Sequence, residues 1–97
     1  MVIEVAQFDI VPGQEEDFAA AFGQARDLLT GTVGCRTVRM TRGIESPSRF
    51  VLLVEWDSVE AHLENFRGSQ RFTTWRGLLG PYFASAPQVE HFADLAG

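Results

Sequence analysis

At 97 residues, with 45% hydrophobic and 22% charged side chains, the chain is long enough for one domain, residues 1–97, and too apolar for disorder. A net charge of −5 argues against a nucleic acid or an anionic membrane as partner, and one cysteine, Cys35, excludes an intrachain disulfide or a thiolate cluster. No stretch approaches the roughly 20 apolar residues of a membrane span, so a cytoplasmic protein is the expectation.

Val2 to Val11 alternates loosely, is rich in β-branched residues and stops at Pro12-Gly13, the pattern of a strand and a turn. Gln14 to Thr30 reads as a helix. Glu15, Glu16 and Asp17 sit in its first turn, where the helix dipole favours negative charge. Phe18, Phe22, Ala25 and Leu29 form one stripe at helical spacing, and Gly31 supplies the stop. Val33 to Arg42 reads as a second strand, with Cys35, Thr37, Arg39 and Thr41 on one face and Arg36, Val38 and Met40 on the other. Gly43 to Ser48 is a polar turn, and Arg49 to Trp56 a third strand. Asp57-Ser58-Val59-Glu60 has the form of a capping box and opens a short helix running to about Phe66. Ser69 caps a further helix that ends at Gly80-Pro81, and Gln88 to Asp94 is a last strand.

The order is β-α-β-β-α-β, with the second helical segment broken in two. It predicts an α+β fold of the ferredoxin-like kind, an antiparallel four-stranded sheet with helices on one face. Val51 to Val54 is an unbroken apolar run, more than a sheet with one wet face needs. Helices cover one face only, so a second copy of the chain is expected on the other, as a homodimer with sheets packed face to face. A domain this small buries little surface alone, which points the same way.

Strong chemical signatures are missing from the sequence. His62 and His91 lie far apart and Cys35 stands alone, so no metal-ligand spacing exists; nor is there a phosphate loop or a nucleophile elbow. Neither a metal nor a cofactor is expected. Val59, Leu63 and Phe66 define the inward stripe of the short helix, and His62 sits at its border. It reads as a general acid or base near neutrality, or as a boundary histidine with one nitrogen in water. Arg76 lies beside the inward stripe Phe72, Trp75 and Leu79; it could hold an anionic oxygen or lay its stem over apolar surface. Trp56 and Trp75 could flank a flat ligand or fill the core. His91 reads as a strand residue at an edge or dimer contact, and Cys35 as a small core hydrophobe.

Taken together, Pro12-Gly13 with its Glu/Phe-rich helix, Gly34, Glu55-Trp56-Asp57-Ser58, Glu60-Ala61-His62, Phe66, Ser69, Phe72 and the closing Pro87 to Phe92 carry a resemblance. In order and spacing they are similar to the antibiotic biosynthesis monooxygenase (ABM) family of small dimeric α+β barrels. The resemblance implies a dimeric barrel and a small aromatic or phenolic ligand. It also implies oxygenation of a phenol by O2 without a cofactor, the substrate itself supplying the electrons. By position it makes Trp56 a wall of the cavity, places His62 where such enzymes can carry a tyrosine, and gives Arg76 to the oxyanion. Leu52 stands where the family can carry an asparagine, a departure that bears on substrate. The haem-degrading branch fits poorly, with Arg76 in place of its axial histidine and Ala6 in place of its asparagine.

The resulting expectation is a cofactor-independent monooxygenase with His62 and Arg76 as catalytic residues. Trp56, Leu52, Phe66, Phe72 and Trp75 are the expected substrate-binding residues. A non-catalytic small-molecule binding or stress-related protein, and an isomerase of a small metabolite, are the alternatives on the same scaffold.

Overall fold

The computed structural model describes residues 1–95. Strand β1 (Val2–Asp9) leads through the Pro12-Gly13 turn into helix α1 (Glu15–Thr30), and strands β2 (Cys35–Arg42) and β3 (Arg49–Trp56) follow as a hairpin. A π-helical turn (Ala61–Arg67), helix α2 (Gln70–Leu79), a 3-10 turn (Gly80–Tyr82) and strand β4 (Gln88–Phe92) complete the chain. The sheet runs β2-β3-β1-β4, every pairing antiparallel, and the helices lie on one face. This is the expected ferredoxin-like arrangement, with strand ends within a few residues of those read from the sequence.

Two-residue periodicity sorts the sheet. Glu4, Ala6 and Phe8 of β1 and Phe50, Leu52, Val54 and Trp56 of β3 are buried under the helices. Phe18, Ala21, Ala25 and Leu29 of α1 and Trp75 and Leu79 of α2 close over them. Phe22 takes a half-buried place beside Trp75 rather than a central one. The alternate residues Ile3, Val5, Val51 and Leu53 make an apolar outer face of intermediate exposure.

Three local readings are corrected. A bulge at Arg36 in β2 pairs Cys35 with Trp56 and Thr37 with Glu55, so Cys35 joins the inward face of Val38 and Met40 instead of that of Thr37. Arg36, released by the bulge, pairs with Asp57. With Asp57 so engaged, Ser58 caps the following turn, its Oγ accepting the Ala61 N–H at 3.1 Å. The third concerns that turn itself: Leu63 is 44% exposed and His62 only 2%. The segment winds with i→i+5 hydrogen bonds, as in Gly68 N–H to Leu63 O at 2.9 Å, and this wider turn carries His62 inward and Leu63 out.

Gly34 fixes the turn against the sheet. Its φ is +95°, and its carbonyl accepts the Asp57 N–H at 2.8 Å. A Cβ there would lie 2.6 Å from the Ala61 Cβ, so any larger residue would push the His62 segment away.

Candidate active site

Antiparallel pairing sets Glu4 opposite His91 and Ala6 opposite both Leu52 and Val89. These side chains share the inward face, and the small Ala6 leaves space where its neighbours would fill it. A cavity of about 680 Å³ lies between this part of the sheet and the helices, a size ordinary for small-molecule sites. Leu52, Phe66, Phe72, Trp75 and Phe83 supply its apolar and aromatic lining, Glu4 and His62 its polar end, and Arg67 and Arg76 its cationic side.

At the polar end the Trp56 indole N–H donates to Glu4 Oε1 at 2.9 Å. The His62 ring stacks on Trp56, centroids 5.0 Å apart at 23°, and its Nε2 stands 3.4 Å from the same Glu4 oxygen. Its other nitrogen, Nδ1, lies 2.8 Å from His91 Nε2. Phe66 completes a triangle of rings, 6.2 Å and 24° from His62 and 6.3 Å from Trp56. Burial pushes the Glu4 carboxyl above its usual range, against the Trp56 hydrogen bond and the attraction of Arg67. The same burial, reinforced by repulsion from His91 and Arg67, lowers His62 to about 4, so its ring is neutral at pH 7.

Arg67 and Arg76 flank one aromatic ring, their guanidinium carbons 5.0 and 5.9 Å from the Phe72 centroid. Among the described residues neither makes an ion pair, whereas Arg36, Arg42 and Arg49 each do. Both are free to meet an anionic oxygen in the cavity.

Of the residues singled out in the sequence, His62, Arg76, Leu52, Phe66, Phe72 and Trp75 all border this cavity. Trp56 does not. It is wholly buried behind His62 and Glu4, so its expected stacking against a ligand is corrected to stacking against His62. His91 stands on an edge strand as read, but its ring faces His62 and not a separate surface. The two histidines, far apart in sequence, are hydrogen-bonding neighbours. A metal bound tetrahedrally at about 2.0 Å from each nitrogen would hold them wider than this contact does. Glu4 and Arg67 were missed. The signal for Glu4 was available: period-two alternation places it with Ala6 and Phe8 on the buried face, where a carboxylate needs a reason.

Fold and site together define a ferredoxin-like α+β protein with a cavity between sheet and helices, aromatic in its walls and titratable at one end. The antibiotic biosynthesis monooxygenase family model matches residues 1–78, and the chain belongs to that family. The uncharacterized protein YczJ of Bacillus subtilis (strain 168) is 39% identical over 95 residues, 98% of this chain and 100% of that one. A Bordetella bronchiseptica crystal structure, itself named for the family, is 41% identical with a TM-score of 0.94, covering 98% of this chain and 97% of that one. A Streptomyces coelicolor monooxygenase from the gene ActVA-Orf6, solved in complex with the ligand Nanaomycin D, has a TM-score of 0.83 at 17% identity. That match covers 99% of this chain and 88% of the other, and at such identity it speaks for the fold alone. No helix among the described residues is long and apolar enough to cross a membrane.

Proposed function

We propose that this chain is a cofactor-independent monooxygenase that oxidises a phenolic or polycyclic aromatic compound with O2. The observation that carries the reading is the cavity itself: flat apolar walls, a buried titratable pair at one end and two arginines at the side. Such a ring supplies its own electrons, so the protein's tasks are to hold it dry, take a proton and steady an anion. The phenolic O–H gives up its proton at the polar end, where neutral His62 shuttles it onward, and Arg76 steadies the phenolate. A ring carbon of the phenolate then bonds to O2. The peroxide takes up one proton, its O–O bond breaks, and hydroxide leaves as that carbon's C–H proton is lost. One oxygen atom stays on carbon as a quinone carbonyl and the other departs as water.

The test is O2 uptake with a panel of hydroquinones and anthrones, for the parent and for Ala6→Leu, which fills the cavity floor. Uptake by the parent that drops by about 100-fold in Ala6→Leu is expected, the scale of a reactant displaced from its productive position. No uptake across the panel would sink the reading. One observation favours a second reading, a binding protein without turnover: both ring nitrogens of His62 already face protein partners. Saturable binding of an anthrone without O2 uptake would decide for it.

The outer sheet face also belongs to this proposal. Ile3, Val5, Val51 and Leu53 form an apolar strip that no element among the described residues covers, and a second copy packed sheet to sheet would bury it. Sedimentation at micromolar concentration should give twice the chain mass; a stable monomer would rule the homodimer out.

A further inference from the structure

We propose that Glu4, His62 and His91 form a proton relay from the cavity to the edge of the sheet, in which Glu4 receives the substrate's proton and His91 releases it to solvent. The relay rests on the oxygenase reading and states where the proton of that reaction goes. It adds two groups, Glu4 as a catalytic residue and His91 as a positioning and exit residue.

Geometry carries the inference. Glu4 and His62 both border the cavity, and His91 does not. The order along the chain of contacts is therefore cavity, Glu4, His62, His91. Glu4 Oε1 is occupied by the Trp56 N–H, and among the described residues no buried side-chain oxygen lacks a partner. Oε2, which receives no protein hydrogen bond, is thus the atom with which Glu4 meets the open space. On the far side His91 is half-buried on β4, an edge strand, the side of the sheet from which a proton has the shortest way out. The step of 2.8 Å between the histidines is a hydrogen bond already made, and the 3.4 Å step from Glu4 to His62 closes with a small side-chain rotation.

The proton balance works in both directions. On the outward stroke the phenol O–H bond breaks and Glu4 Oε2 gains the proton. Rotation of the carboxyl group presents that proton to His62 Nε2. His62 passes its Nδ1 proton to His91 Nε2, and His91 loses its Nδ1 proton to water. Each ring gains one proton and gives one, so both histidines end neutral and the Glu4 carboxylate is regenerated; the one charge newly left in the interior is the phenolate's, beside Arg76. On the return stroke a proton from water re-enters by His91, travels back, and satisfies the peroxide oxygen formed on the substrate. One turnover thus resets both tautomers. Among the described residues the ionisable groups that act on this chain are Arg67 on the π-helical turn and, across β3, Cys35 on β2, while the Trp56 N–H on β3 adds a hydrogen bond to Glu4. Arg67 opposes a charged His62 and attracts a charged Glu4, which favours a relay that moves protons while His62 stays neutral.

Two measurements decide it. Long-range 1H–15N spectra of the ring nitrogens, in the parent and in Glu4→Gln, should place the His62 proton on Nδ1. They should also show His91 nitrogen shifts that change in Glu4→Gln. Because Glu4 also faces His91 directly across the sheet, the same substitution made in a His62→Phe background should leave those shifts unaltered, and a change that persists there would overturn the relay. A His91 spectrum identical in the parent and in Glu4→Gln would overturn it as well. With an anthrone as substrate, His91→Gln should lower kcat about tenfold, below the usual range for a primary acid–base group, with KM unchanged. Added imidazole should restore most of that rate. An unaltered kcat, or a loss that imidazole does not recover, would overturn the role of His91. If the parent itself consumes no O2, the oxygenase reading falls separately, and the nitrogen shifts alone decide whether the three groups are linked.

Discussion

The two ends of β1 meet the helices in opposite ways. At one end Phe8 stacks on Phe83 at 5.3 Å, and Phe18 of α1 reaches Phe8 at 5.9 Å and Phe50 at 4.8 Å. That end is wholly apolar. At the other, four residues back, Glu4 lies under Trp56, His62 and His91, so a carboxylate and an imidazole are buried together. Between them Ala6 is too small to fill its place, and the cavity opens there. The aromatic end needs only bulk and fit, and its burial stabilises the domain. The polar end carries desolvation costs that its hydrogen bonds only partly offset. A domain of this size has little stability to spare, so groups held at such a cost point to use.

Phe18→Ala tests the aromatic end and should have the largest effect. Phe18 is fully buried and touches Phe8, Phe50, Tyr82 and Phe83, so truncation leaves a cavity no neighbour can fill. A loss of about 3–5 kcal/mol in urea unfolding is expected. A loss below about 1 kcal/mol would mean that this cluster does not hold the core, and the contrast between the ends would fail.

The aromatic end was also the legible one. Phe18, Ala25 and Leu29 recur at helical spacing, and burial of such a stripe depends only on side chains within the same helix. The element order, the hairpin and the apolar outer run were readable on the same local grounds. The polar end was not, for two physical reasons. Its hydrogen bonds join Glu4 to Trp56, 52 residues apart, and His62 to His91, 29 residues apart, and no local period links them. The segment that carries His62 also winds as a π-turn, so a wheel drawn for an ordinary helix put Leu63 inside and His62 at the border. Trp56 was misplaced by the same error. With His62 carried inward, its ring occupies the space in front of the indole.

The polar end is sharpened by acidification, where the expected effect is smaller because its two groups act in opposite directions. His62 is lowered from 6.5 to about 4, so the unfolded chain takes up its proton first. Its contribution to stability is full above pH 6.5 and is lost as the pH falls through about 4. Glu4 is raised above 4.5, so the folded state holds its proton more tightly than the unfolded chain does. Its contribution is full below pH 4.5 and is lost as the pH rises through the raised value. In the parent these slopes overlap and partly cancel between pH 6.5 and 4.5. Melting temperatures in low-salt buffers from pH 8 to 4 should therefore separate the variants. Glu4→Gln removes the term that favours acid, so its melting temperature should fall more steeply on acidification than the parent's. His62→Gln removes the opposing term and should fall less steeply, or rise. Parallel curves for all three proteins would show that neither group titrates differently in the folded chain. The polar end would then be no more costly than the aromatic one, and burial of Glu4 and His62 would no longer argue for function.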